Sequence, residues 1–262
     1  MSGGAGAWSD LRARVLSAAV LAVVGLACVF LGGFAFYTLV SVIAGIILWE
    51  VALMSGRDLQ IAAHGLGIAG AASLWFGKLV GEPMDIPMLL LPIAVGMIYV
   101  VQTWSWMIFD AEVMFGTYAL TLVSAQGGPV AILFIVACIA ASDILGYFAG
   151  RTLGGPKLWP AISPKKTWSG TVAGWIGAVV VAVVYSMWLG GGVDFGILIL
   201  ALVFAIAGQA GDIAESALKR RMGVKDSSNL IPGHGGFFDR FDALLGASVI
   251  AFFVVSAGFS WW

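Results

Sequence analysis

Charge is what this sequence has least of. Lys, Arg, Asp and Glu make up 10% of its 262 residues, against roughly a quarter in a soluble globular chain. A chain this poor in charge cannot cover a water-facing surface, and its solvent is lipid. The net charge of −1, with basic residues this few, leaves no electrostatic footprint for nucleic acid. Cysteine is scarce too, with two residues. Cys28 and Cys138 both lie inside apolar runs, where a small buried hydrophobe is the expected role and a disulfide or metal pair is not. No G-x-x-x-x-G-K-[ST] loop occurs, so any nucleotide must be held another way. Internal repeats and low-complexity linkers are absent too.

What is abundant is apolar surface, at 61% hydrophobic residues and a mean hydropathy of +1.02. A helix crossing a bilayer needs about 20 such residues. Runs of that kind cover 15–31, 34–54, 61–80, 87–109, 129–149, 169–190, 194–211 and 241–260, with a shorter one at 112–126. The first follows Arg12 and Arg14 but leads through Gly32 and Gly33 straight into Phe34 and Phe36, which predicts an uncleaved span and not a signal peptide. Counting nine spans with the N-terminus inside puts Arg12, Arg14, Arg57, Arg151, Lys157, Lys165, Lys166, Lys219, Arg220, Arg221, Lys225 and Arg240 on one side. Only Lys78 falls on the other, as the positive-inside rule favours. Omitting the short run would move 151–168 and 212–240 outside and reverse that bias. The expected fold is therefore all-α: a polytopic membrane protein of about nine helices forming one domain over 1–262, with a cytoplasm-facing functional part mainly in 140–242.

Residues 65–70 match G-x-G-x-x-G, but they lie within a predicted span with no strand before them, so a dinucleotide site is not expected. His64 beside them reads as an interfacial or hydrogen-bonded histidine. Small residues four apart, such as Gly146 with Gly150 and Gly170 with Gly174, suit close helix packing in lipid.

Ionisable residues at membrane depth default to functional hypotheses, and two inner segments hold most of them. The first contains Asp143, about two turns inside its helix, then Ser163-Pro164-Lys165-Lys166-Thr167 just before the next helix. A helix N-terminus with hydroxyls and lysines suits phosphate. In the second, Asp212, Glu215, Ser216 and Lys219 share a helical face, and Asp239 and Asp242 form another such pair. Between them, Pro232-Gly233-His234-Gly235-Gly236 has no large apolar side chain and can bring backbone N–H groups close to an anion. Carboxylates beside basic residues suggest Mg²⁺ with a polyphosphate. Interhelical salt bridges are the plainer alternative. A transporter would place its ionisable groups near mid-bilayer on broken helices, and here they gather at one face.

These segments resemble the phosphatidate cytidylyltransferase family. Its signature is matched at Ser216, Lys219, Arg220, Lys225, Asp226, Ile231, Pro232, Gly233, His234, Gly235, Gly236, Asp239, Arg240 and Asp242. Upstream, Asp143, Tyr147, Phe148, Gly150 and Arg151, then Ser163, Pro164, Lys166 and Thr167, are similar to a second family pattern. The sequence departs from it at Ile144, Ser169 and Ser228. The resemblance implies transfer of CMP from CTP to phosphatidic acid, giving CDP-diacylglycerol and pyrophosphate, by a homodimer at the cytoplasmic face of the inner membrane. It implies Mg²⁺, with or without a monovalent cation, on Asp212 and Asp239. Lys219, Asp143 and His234 are the other expected catalytic residues. Substrate contacts are expected from Lys165, Lys166, Thr167, Ser216, Arg220, Lys225, Asp226, Gly233, Gly235, Gly236 and Arg240. Enzymes using CTP on another lipid share polyphosphate handling but should lack the full run from Pro232 to Asp242.

Overall fold

The computed structural model describes residues 3–56, 60–81, 85–99 and 104–262; Arg57, one of the basic residues placed inside, lies outside them. In chain order come α1 (Gly3–Leu31), α2 (Gly33–Ser55), α3 (Gln60–Val80), α4 (Asp85–Tyr99), α5 (Trp104–Thr152), β1 (Lys157–Trp159), β2 (Ser163–Thr167), α6 (Trp168–Trp188), α7 (Phe195–Arg221) and α8 (Phe238–Ser256). Helix dominates because lipid offers backbone N–H and C=O groups no partner, so each apolar segment must satisfy its own. Among the described residues the all-α expectation is joined by one β1–β2 hairpin, antiparallel with Lys157 opposite Thr167 and Trp159 opposite Ser163.

Five helical stretches among the described residues are long and apolar enough to cross a membrane: Arg14–Leu31, Gly33–Ser55, Trp106–Thr152, Trp168–Trp188 and Phe195–Arg221. One of these, α5, contains two of the predicted runs, because Gly128 (φ 64°, ψ −160°) and Pro129 kink it. By contrast α4 has 15 described residues, and the first turn of α8 carries Asp239, Arg240 and Asp242. The helices thus establish a polytopic membrane protein without establishing nine crossings. The predicted run 87–109 is described as α4 up to Tyr99 and as α5 from Trp104, and its residues 100–103 lie outside the described ones. Asp110 lies inside α5 with its side chain fully buried and neither carboxyl oxygen hydrogen-bonded among the described residues.

The chain gathers into two compact units, residues 1–114 with 222–241, and residues 115–221 with 242–262. In the first, α2 and α3 touch backbone to backbone. A Cβ on Gly45 would stand 2.6 Å from the Gly67 carbonyl oxygen, and one on Gly67 would stand 2.7 Å from that of Gly45. This accounts for Gly67 as a packing residue, and Gly70 packs likewise on Leu48, whereas a Cβ on Gly65 would meet nothing within 4 Å. Beside them His64 Nδ1 bonds the Gln60 carbonyl at 2.6 Å, and its ring lies 6.0 Å from that of Trp49.

In the second unit α6 lays Gly170, Gly174 and Gly177 against Gly146, Ser142 and Ala141 of α5, the close approach that the small-residue spacing predicts. Gln209 of α7 ties the three helices together. It donates to Ser142 Oγ at 3.2 Å and accepts from Trp175 Nε1 at 3.0 Å. Helices α7 and α8 cross where Gly208 and Gly211 meet Ala243 and Gly246. That crossing brings polar groups of α7 and α8 together.

Candidate functional site

Helix α7 is capped at its start by Asp194, whose Oδ1 accepts from Gly196 N at 2.7 Å. It runs through the apolar core and ends on Lys219, Arg220 and Arg221, cations that complement the negative end of its dipole. On its inward face Ser216 Oγ lies 3.5 Å from Asp212 Oδ1, and Lys219 Nζ lies 2.5 Å from Glu215 Oε2. The i, i+4 face expected from sequence is therefore formed. Because α7 and α8 approach so closely, Asp242 joins it: one carboxylate oxygen each from Asp212, Glu215 and Asp242 lie within 4.8 Å of one another.

The hairpin adds a cation to the same cluster. Thr167 caps α6 by accepting from Gly170 N at 3.2 Å, which fixes where β2 ends. Lys166, next to it, reaches Asp212 Oδ2 at 2.6 Å. Asp143 feels both charges, repelled by Asp212 and attracted by Lys166. Ser169, a departure from the family pattern, bonds Thr167 Oγ1 at 3.0 Å and donates to the Gly154 carbonyl. Lys165 and Arg220 are exposed and make no ion pair among the described residues. Three carboxylates with convergent oxygens are a donor set that suits a hard divalent cation.

The other unit contains the glycine turn. Ile231 N donates to the Gly235 carbonyl at 2.8 Å and His234 N to the Ile231 carbonyl at 2.9 Å, closing a loop with Gly233 at φ 75° and Gly235 at φ 85°. Only glycine adopts that backbone readily. Arg240 clamps the turn, donating from Nε at 3.1 Å and Nη2 at 2.8 Å to the His234 carbonyl. Ser17 of α1 shares a hydrogen bond with His234 Nδ1 at 2.8 Å. Asp239 Oδ2 accepts from Gly236 N at 2.8 Å, and from Ser227 N and Ser227 Oγ at 2.9 Å each. Lys225 and Asp226 are exposed.

The expected residues thus fall into two sets. Asp143, Lys166, Asp212, Ser216 and Lys219 come together in the second unit, with Glu215 and Asp242 among them. Asp239, His234, Gly233, Gly235, Gly236 and Arg240 come together in the first. Three participants went unnoticed in the sequence. Ser17 and Ser227 carry no signal that sets them apart. Glu50 does: it is a carboxylate inside an otherwise apolar run, it is fully buried, and it bonds the 227–238 segment.

Comparison with known proteins adds an independent line. The pattern of the cytidylyltransferase family matches residues 12–257. A phosphatidate cytidylyltransferase of Brucella abortus is 34% identical over 251 residues, covering 93% of each chain. That of Bacillus subtilis is 31% identical over 270 residues, covering 94% of this chain and 98% of its own. A Staphylococcus saprophyticus phosphatidate cytidylyltransferase reaches 43% identity over 119 residues, 44% of each chain.

Proposed function

This chain belongs to the cytidylyltransferase family, and from that premise we propose how its residues carry the reaction. The enzyme transfers CMP from CTP to phosphatidic acid, producing CDP-diacylglycerol and pyrophosphate. A phosphomonoester oxygen of phosphatidate forms the new bond to the α-phosphorus of CTP, and the bond from that phosphorus to the β-phosphate bridging oxygen breaks. The nucleophile needs no strong base, since a phosphomonoester with a second pKa of about 6 is largely dianionic near neutral pH. Orientation and charge neutralisation therefore do most of the work.

The carrying observation is the convergence of Asp212, Glu215 and Asp242 with Lys166 and Lys219 already paired against them. These carboxylates fit Mg²⁺, which when bound would neutralise polyphosphate charge. The ligand role of Asp239 is supported by the family resemblance. Lys165, Arg220 and Lys225, exposed, are suited to phosphate oxygens, with arginine able to bind two at once. Lys166 and Lys219 would exchange carboxylate for phosphate as substrate arrives. In the glycine turn His234 N and Gly236 N are used internally, leaving the Gly233 and Gly235 N–H groups for an anion.

The one-sided distribution of basic residues supports an inner-membrane location with this site facing the cytoplasm. The homodimer rests on the family resemblance, and light scattering of the solubilised protein checks it. For the activity, the test is purified protein given phosphatidate, labelled CTP and Mg²⁺. Label is expected in the organic phase, and its absence with active-folded protein would refute the assignment.

A further inference from the structure

We propose that Glu50 is a positioning residue for the transfer reaction, holding the 227–238 segment and the first turn of α8 in their working conformation. The proposal rests on the activity inferred above and extends it to a residue outside the signature. Glu50 lies near the C-terminal end of α2, with none of its side chain exposed. A buried carboxylate in a membrane span is costly, and two helices could pack there with apolar residues at no such cost. What it gains is specific. Oε1 accepts from Ser228 Oγ at 2.6 Å and Phe237 N at 2.9 Å, and Oε2 accepts from Phe238 N at 2.8 Å and Ser227 Oγ at 3.1 Å.

Those four donors match the acceptor capacity of a carboxylate, and each comes from the segment leading into α8. None comes from a neighbouring membrane helix among the described residues. The saturation also separates Glu50 from a ligand role, since it has no lone pair to spare for substrate. Two of the donors, Phe237 N and Phe238 N, sit at the start of α8, where backbone N–H groups have no partner within the helix. Glu50 thus caps α8 from another part of the chain. Gly236 shows how tightly the carboxylate is seated: a Cβ there would overlap Ser227 Oγ and stand 2.5 Å from Glu50 Oε1.

The link to the chemistry runs through Ser227. Its Oγ lies 3.1 Å from Glu50 Oε2 and 2.9 Å from Asp239 Oδ2, so one hydroxyl spans the two carboxylates. Its backbone N–H also donates to Asp239 Oδ2. Moving Glu50 therefore re-aims Asp239 and the turn whose carbonyl Arg240 grips.

The test is Glu50→Gln in full-length protein in detergent, where an amide replaces one acceptor oxygen with a donor facing donors. Turnover should fall about tenfold or more through misplacement of the segment, out of proportion to the loss of thermal stability. Hydrogen exchange of peptides covering 227–238 should quicken, with peptides from 129–152 unchanged. Glu50→Gln combined with Ser227→Ala should cost no more than the worse single variant, because both act through one network. Wild-type turnover in Glu50→Gln, or unchanged exchange in 227–238, overturns the proposal. If Glu50→Gln does not fold, wild-type exchange decides: fast exchange of the peptide holding the Phe237 and Phe238 amides overturns it, and slow exchange upholds it. Failure of wild-type protein to label lipid would strike the activity instead, since the exchange measurements need no turnover.

Discussion

Gly236→Ala tests the seating of the signature loop with a single methyl group. Gly236 is not at positive φ, so a side chain causes no backbone strain there; the obstacle is space alone. The added Cβ would stand 2.5 Å from Glu50 Oε1, so the carboxyl must retreat by about 1 Å to reach ordinary contact. Oε1 holds Ser228 Oγ at 2.6 Å and Phe237 N at 2.9 Å. A retreat of that size breaks at least one of them, and a hydrogen bond to a charged group contributes about 1.5–3 kcal/mol. Overpacking adds about 1–3 kcal/mol. The loss of unfolded-chain entropy on going from Gly to Ala returns about 0.4–1 kcal/mol. Net destabilisation of the loop is then about 2–5 kcal/mol, and displacement of about 1 Å costs roughly a hundredfold in turnover. The control is Gly191→Ala, where a Cβ meets nothing within 4 Å; it should be neutral. Turnover of labelled CTP into lipid and thermal unfolding in detergent are measured for both. If Gly236→Ala behaves like Gly191→Ala, the described contact between Glu50 and the loop is wrong.

Asp212→Asn should reduce activity to a few per cent or less while the protein still inserts and purifies, and EDTA should do the same to wild type, reversibly on adding Mg²⁺. Gly211→Ala should be severe, because its Cβ would stand 2.6 Å from the Asp242 carbonyl oxygen and 3.2 Å from Gly246 Cα; backbone cannot yield, so α7 and α8 must separate. Turnover losses exceeding the loss of thermal stability would mark Gly211 as setting carboxylate spacing, and wild-type turnover would refute it. Ser17→Ala removes the partner of His234 Nδ1 and should lower turnover several-fold with unchanged unfolding; an unaltered rate and pH profile would dismiss Ser17 as an orienting residue.

Membrane spans were legible because lipid enforces one solution, a helix carrying an apolar run, and Gly146, Gly150, Gly170 and Gly174 predicted the α5–α6 contact. The face of Asp212, Glu215, Ser216 and Lys219 was legible too, since it depends only on helical period. Long-range partners were not. Nothing local in Ile47-Leu48-Trp49-Glu50 says that this carboxylate bonds residues some 180 positions later. Only the rule that intramembrane charge needs a reason could have flagged it. Asp242 looked like a partner of Asp239 by spacing, yet Asp239 bonds the loop while Asp242 turns to the α7 cluster.

Scarcity of charge is what makes the second unit's cluster informative. Asp143, Asp212, Glu215 and Asp242 face the ammonium groups of Lys166 and Lys219. Among the described residues, four carboxyl groups thus gather around two ammonium groups. Like charges so close repel more strongly where water is thin. A purely structural network would be expected to balance itself, since unpaired charge near lipid is expensive and salt bridges at low dielectric barely repay their desolvation. The backbone-close crossing of Gly211 and Gly246 forces the carboxylates together anyway. Carboxyl groups crowded at a fixed geometry are what a divalent cation would offset, as the proposed Mg²⁺ role requires.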